Sequence, residues 1–373
     1  MIASAILQLL LSSMEKPRLL SSVIASLLSK FSIFRPPMTW AELPQARQIG
    51  AGLIMLALLF TQPSALLAAE TGSCPSEMVA IPAGLFRIGA AGKLAEEQEA
   101  GGVRLTTFCL GRHEVTNQQF AAFVAATGYR TVAERPLSIE QFPGLSPAER
   151  EPGSLVFRPV PGDGPIEELS WWHWVPGANW RHPEGPGSDL SGREQHPVVQ
   201  VAYEDAEAFA AWAGASLPSE AQWEFAARGG LQDRVFAWGN RWNPQRANTW
   251  QGRFPSKNTG EDGFAGLAPG GSFVANGYGL FDMTGNVWEW TRDWYGVGHQ
   301  ALADQSDPVV SSAMATGDPR DPGVAKHVLK GGSFLCSEHY CSRYRPAARE
   351  AQSPDTGTSH IGFRIASFGS ASA

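Results

Sequence analysis

Charge is scarce in this chain: 17 % of its 373 residues are Asp, Glu, Lys or Arg, and the formal net charge of -7 is spread along its length. No block of Lys and Arg is present that would neutralise a run of phosphates, which argues against a nucleic-acid partner. Histidine is also thin. The eight are scattered, His182, His196 and His339 each stand alone, and neither His-x-x-x-His nor His-Glu-x-x-His occurs, which disfavours a zinc hydrolase. A Gly-x-Ser-x-Gly elbow, a phosphate-binding Walker loop and a dinucleotide fingerprint are all missing, so the common hydrolase, phosphotransferase and dehydrogenase classes drop out. Neither apolar stretch, 3–11 or 49–60, reaches the 18 or so residues that a bilayer-spanning helix requires.

What is abundant is glycine, proline and tryptophan. The 40 Gly and 27 Pro make up close to a fifth of the chain, against roughly 12 % on average, and 13 Trp accompany them. That composition describes a loop-rich but tightly packed globule. Residues 1–73 differ in kind, with the two apolar stretches separated by Lys16, Arg18, Lys30, Arg35 and Arg47. The run at 49–60 has the length of a signal h-region, and the small residues Ala65, Ala68 and Ala69 follow where a peptidase cuts. Met38 gives a tidier signal than Met1, and an uncleaved anchor is the alternative. Under both readings 1–73 is a targeting region and 74–373 an exported domain, periplasmic or secreted, held at a membrane only if the segment stays attached.

From Cys74 onward there is no linker, repeat or break in composition, so one domain is expected. Three helices announce themselves through their caps. Thr116 and Gln119 form a capping box before Phe120, Phe123 and Val124, with Gly128 as the stop. Asp205 leads into a stripe of Phe209, Trp212 and Ala213 ended by Gly214. After Pro218, Ser219 and Gln222 form a second box before Trp223, Ala226 and Ala227, and Arg228-Gly229 closes it. Short β-like runs such as Val79-Ala80-Ile81-Pro82 and Val328-Leu329-Lys330 lie among long irregular stretches, which in a compact domain need special stabilisation.

Two constellations carry chemistry. Cys336 and Cys341 lie five residues apart, a spacing that diverges by about 140° on a helix and points to opposite faces of a strand, so only a loop brings the sulfurs together. Converged thiolates suit a soft ion such as Cu(I); a structural disulfide is the equally open alternative. The second constellation is rich in oxygen donors: Asn248-Thr249-Trp250 with Asn258-Thr259-Gly260-Glu261-Asp262-Gly263-Phe264, and Asp282-Met283-Thr284-Gly285-Asn286-Val287-Trp288-Glu289. Such stretches build calcium sites, which take about six to eight oxygens, or serve as ordinary Asn/Asp/Gly turns.

The segment Gly331-Gly332-Ser333 through Cys336, Tyr340-Cys341, Arg343-Tyr344-Arg345, Pro354-Asp355 and Gly362-Phe363-Arg364 closely resembles the formylglycine-generating enzymes, also called sulfatase-modifying factors. Glu114-Val115-Thr116-Asn117, the run from Gly177-Ala178-Asn179-Trp180 to Gly185-Pro186, Leu217-Pro218-Ser219-Glu220-Ala221-Gln222-Trp223-Glu224 and Asn276-Gly277-Tyr278-Gly279-Leu280-Phe281-Asp282 extend the resemblance, in order, over 78–364. It implies an α+β fold, a modified C-type-lectin-like domain with little regular secondary structure and calcium-stapled loops. It implies Cu(I) on Cys336 and Cys341, with Ser333, Tyr340 and Trp288 lining the place where dioxygen meets the substrate sulfur. The first calcium falls on Asn248, the carbonyl of Thr249, Asp262 and the carbonyl of Phe264; the second on Asp282, the carbonyls of Gly285 and Val287, and Glu289. The implied substrate is an unfolded sulfatase segment bearing Cys-x-Pro-x-Arg, whose cysteine becomes formylglycine with the help of oxygen and a thiol reductant.

The chain departs from the family in places. Asp282 stands where many members have Asn, which keeps an oxygen ligand and adds charge; cysteines that some members carry at the positions of Pro346 and Ile365 are missing, leaving Cys74 and Cys109 to pair instead. The stretch 298–326 matches nothing familiar and reads as a surface loop. Two other functions compete. An iron sulfoxide synthase of this fold needs a histidine-rich helical domain upstream, and 1–73 contains no histidine. A non-catalytic lectin-like binding module has no use for both Cys336 and Cys341, so that pair discriminates.

Overall fold

The computed structural model describes residues 74–90, 94–140, 143–147, 150–162, 165–313 and 317–368; the expected targeting region lies outside them. Along the chain run β1 (Met78–Ile81), β2 (Gly84–Ile88), β3 (Gly101–Leu105), β4 (Phe108–Gly111), α1 (Asn117–Thr127), β5 (Gly153–Phe157), β6 (Trp172–Pro176), α2 (Tyr203–Trp212), α3 (Glu220–Arg228), β7 (Trp288–Trp294), β8 (His327–Lys330), β9 (Glu350–Gln352), β10 (Ile361–Gly362) and β11 (Ala366–Ser367). The strands pair in four small sheets, ordered β1-β4-β11, β10-β7-β8-β9, β2-β3 and β5-β6. All pairs are antiparallel except β10 with β7. The result is the α+β fold expected from the sequence.

Local chemistry explains the helices. In α1 the Thr116 hydroxyl accepts from the N–H of Gln119, whose side chain accepts from the Thr116 N–H, and Gly128 ends the helix at φ 68°. In α3 Ser219 and Gln222 do the same, with Gly229 as the left-handed stop. One boundary differs from expectation: α2 starts at Tyr203, and Asp205 sits inside its first turn, reaching back to accept from the Ala202 N–H at 2.8 Å. Trp212, expected in the buried stripe, is 45 % exposed and covers Phe123 and Phe209 from outside.

Two apolar clusters form the core. One gathers Phe120, Phe123, Phe209, Phe363 and Trp180 with Trp288, Trp290, Cys336 and Tyr344. Its rings meet edge to face or offset, which adds about 0.5–1.5 kcal/mol per pair beyond area burial. The other packs α3, through Trp223, Ala226 and Ala227, onto β1 to β4. Region 298–326 is no free surface loop: Leu302 is buried, Ser306 bridges to Arg104 on β3, and the Asp307 carboxylate accepts from both the N–H and the hydroxyl of Thr106. A Cys74–Cys109 disulfide ties the start of the described chain to β4.

Candidate active site

Strand β8 ends at Lys330, and the chain then turns through Gly331 and Gly332 at φ 95° and 75°. Glycine is required at the second position, because a Cβ there would lie 2.9 Å from the Tyr344 Cα. This close approach folds the segment back on itself and closes the loop that the cysteine spacing demanded. Ser333 is fully buried; its carbonyl accepts from the Cys336 N–H at 2.9 Å and its hydroxyl from the Leu335 N–H at 3.2 Å. The Cys336 carbonyl accepts from Trp250 N–H at 2.9 Å, and the Ser337 hydroxyl from Tyr340 N–H at 3.1 Å.

Both cysteines are free, Cys336 buried and Cys341 partly so. The two thiols are electrostatically asymmetric. Burial pushes the Cys336 thiol up, well above the ordinary range. Cys341 is pulled down, first by Cys336 and then by the Arg343 N–H and guanidinium. Cys341 is thus the sulfur that ionises first. Two free thiols on one loop fit a soft cation.

Beside the cysteine segment opens a cleft of about 780 Å³ lined by Ser337, Tyr340 and Tyr344; Ser333, Cys336 and Cys341 are not part of its wall. Tyr340 forms part of its wall, 43 % exposed, stacked on Phe254 at 4.1 Å and edge-on to Trp171 at 5.2 Å. Burial, then the charges of Cys341 and Cys336, holds its hydroxyl above the usual range. Glu261 and Glu338 bring carboxylates to the same lining. Trp288, by contrast, is buried in the core cluster with Cys336 and does not line the cleft; its N–H donates to the His360 carbonyl. Sequence reasoning gave no site role to Trp171, Phe254, Trp250 or Arg343. Trp250 and Arg343 stood in the quoted segments and the tandem Trp171-Trp172 was a visible signal, while Phe254 carries none in one sequence.

The two oxygen-rich stretches lie against this segment. Gly285 N–H donates to the Gly331 carbonyl and Phe334 N–H to the Asn286 carbonyl, both at 2.9 Å. The stretches also join each other, with Asn286 N–H donating to the Asn248 carbonyl at 2.9 Å. In the first, the Asp262 carboxylate accepts from the N–H groups of Thr249 and Phe264 at 3.0 Å, while the buried Asn248 Oδ1 has no protein donor. In the second, Glu289 is engaged by Arg364 at 2.6 and 2.7 Å and by the Trp223 indole at 2.8 Å. Asp282 accepts from the Gly271 N–H at 2.6 Å, and burial raises its carboxyl to about 6. Burial and then Asp282 raise Glu114 beside it, whose Oε2 is also without a donor. Among the described residues no three acidic, His or Cys side chains converge with metal-binding geometry, so these stretches offer mixed carbonyl and carboxylate donors instead. An unpaired buried amide oxygen and a surplus of buried negative charge fit a hard divalent cation.

An α+β domain with two free thiols on one loop beside an aromatic cleft defines a class of dithiol proteins. The family model for the sulfatase-modifying factor enzyme 1-like domain matches residues 64–368, and the chain belongs to the formylglycine-generating enzyme (sulfatase-modifying factor) family. It is 50 % identical over 293 residues to a formylglycine-generating enzyme of Mycobacterium tuberculosis, covering 78 % of this chain and 97 % of that protein. It is 47 % identical over 298 residues to one of Thermomonospora curvata, covering 78 % and 92 %. Among solved structures, PvdO from Pseudomonas aeruginosa matches with a TM-score of 0.53 at 22 % identity, covering 78 % of this chain and 94 % of that one, a likeness of fold.

Proposed function

We propose that this protein oxidises the cysteine of a Cys-x-Pro-x-Arg segment in an unfolded sulfatase to Cα-formylglycine. The observation that carries this reading is the pair of free thiols, Cys336 and Cys341, on a loop whose Ser337 and Tyr340 line the cleft. Cys336 and Cys341 would hold Cu(I), which when bound supplies redox chemistry toward dioxygen. The balance is simple: the substrate CH₂–SH group and O₂, with two electrons and two protons from a thiol reductant, give the aldehyde, hydrogen sulfide and water.

The chain's own residues bind and orient. Trp171, Phe254 and Tyr340 offer an apolar wall to an extended peptide, and Glu261 and Glu338 offer its arginine charge-assisted partners. Ser333 holds the turn before Cys336 through its carbonyl, and Trp288 backs the sulfur from the core. Calcium at Asn248, Thr249, Asp262 and Phe264 and at Asp282, Gly285, Val287 and Glu289 would brace the base of the loop. The Cys74–Cys109 disulfide supports export, since such links persist in oxidising compartments.

The test is incubation of the reduced protein with copper, oxygen, a thiol reductant and a Cys-x-Pro-x-Arg peptide, followed by mass spectrometry and capture with an aminooxy probe. Conversion of the cysteine peptide, and not of its serine counterpart, is expected. An unchanged cysteine peptide would overturn the reading in favour of a binding module.

A further inference from the structure

The thiols sit on a segment, 331–348, that has no regular structure yet returns to where it began. Before it, the fully buried Lys330 places its ammonium 3.2 Å from Glu224 Oε2 and 3.6 Å from Glu220 Oε1. After it, Arg349 is 2 % exposed and donates to Glu220 Oε2 at 2.6 Å. The backbone already joins the two ends through Leu329 of β8 and Glu350 of β9, and Glu220 in the first turn of α3 faces both side chains that flank this closure. Glu220 is itself held, its N–H donating to Asp293 Oδ2 at 2.8 Å and its Oε1 facing His299 Nε2 at 3.4 Å. Burial alone would raise its carboxyl; Arg349, His299 and Lys330 more than reverse that and keep it ionised.

We propose that Glu220 is a positioning residue for the thiol pair: by binding Arg349 and facing Lys330 it reinforces the closure made by β8 and β9 and so fixes the separation at which Cys336 and Cys341 meet. A loop with joined ends samples fewer conformations, so each thiol sees the other at a higher effective concentration. The inference rests on Cys336 and Cys341 acting as a pair, but it does not require the sulfatase assignment.

The reaction to measure is closure of the pair. Two thiols become a disulfide, giving two electrons and two protons to oxidised glutathione, which becomes two molecules of reduced glutathione. In glutathione buffers of stepped ratio, the Cys336–Cys341 disulfide is quantified by alkylation and mass spectrometry, and Cu(I) affinity by competition with a chelator. Glu220→Gln is expected to lower the effective concentration about tenfold, which raises the midpoint potential by about 30 mV, and to weaken Cu(I) by a similar factor. Asp205→Asn alters an equally buried carboxylate whose partners, the N–H groups of Ala202 and Val132, lie outside the loop; it should lower the melting temperature and leave the midpoint alone. Should Glu220→Gln fail to fold, Arg349→Lys decides, with a smaller shift of the same sign. A parental midpoint and parental Cu(I) affinity in the folded variant would overturn the role given to Glu220. A parent that shows neither the couple nor Cu(I) binding would overturn the pairing of the thiols as well.

Discussion

Single side chains here divide by what they touch. Cys336 and Cys341 share one loop and one apolar cluster, carry no disulfide and lie in a domain with two such clusters, so neither thiol is needed to close the fold. Cys336→Ser and Cys341→Ser are therefore expected to melt near the parent, far from the roughly 2–5 kcal/mol lost when a structural disulfide is removed, yet to lose turnover and tight Cu(I) binding. Melting curves and chelator competition on each variant check this, and parental copper affinity in either would end the two-thiolate mechanism. The sequence showed both residues and the need for a loop; it did not show that they differ, because the asymmetry comes from burial and from Arg343. A second residue-scale case is His327, stacked on Tyr203 at 3.6 Å and lying 3.9 Å from Trp294, where burial lowers its pKa from 6.5 to about 4. The unfolded imidazole binds a proton below 6.5 and the folded one does not until about 4, so stability falls as the pH falls through that window. His360 acts in the same sense, while Asp293, raised by burial to about 7, costs stability as the pH rises. The difference between parent and His327→Phe isolates one contribution: the variant should flatten the loss between pH 7 and 4.5 by up to about 3 kcal/mol, measured by urea unfolding.

Elements were legible where their chemistry is local. Capping boxes at Thr116 and Ser219 and the glycine stops at Gly128 and Gly229 need only residues three or so apart, and both helices ended where the sequence placed them. Asp205 misled because an Asp in the first turn can reach back to the preceding N–H as well as cap from in front. The pairs β2-β3 and β5-β6, and the two-residue β10 and β11, were not legible, since five alternating residues or fewer give too short a pattern and register comes from distant partners. The cysteine loop lies between these cases: its glycines were visible, but the reason for Gly332 is Tyr344, twelve positions away. Gly332→Ala should force a strained φ or displace Tyr344, costing on the order of 1–3 kcal/mol and lowering peptide turnover. Gly187→Ala, where a Cβ meets nothing within 4 Å, is the control and should match the parent in both melting and turnover.

At the scale of the whole molecule, the oxygen-rich stretches join the two halves of the problem, stability and site. The family resemblance supplied their expected ligand positions; what a sequence without its fold could not supply is that they touch the cysteine loop. Gly285 holds Gly331, Asn286 holds Phe334, and Trp250, directly after Thr249, holds the Cys336 carbonyl. An ion bound only by the folded state stabilises it by RT ln(1 + [L]/Kd), about 2.7 kcal/mol at a hundredfold excess over Kd. Chelation of calcium from the parent is thus expected to lower the melting temperature and, because the same stretches brace the loop, to weaken Cu(I) binding in protein that is still folded. Asp262→Ala removes two acceptors of main-chain N–H together with a ligand of the proposed first ion, so it should melt low and respond less to chelator than the parent. Glu289→Ala is a harsher probe, because it strands the buried Arg364 and costs about 3–5 kcal/mol whether or not calcium is present. The decisive comparison is therefore the chelator response and not the melting temperature alone. If the parent melts identically with and without chelator, calcium has no place in either stretch, and the buried charge of Glu114 and Asp282 must be relieved by protonation instead.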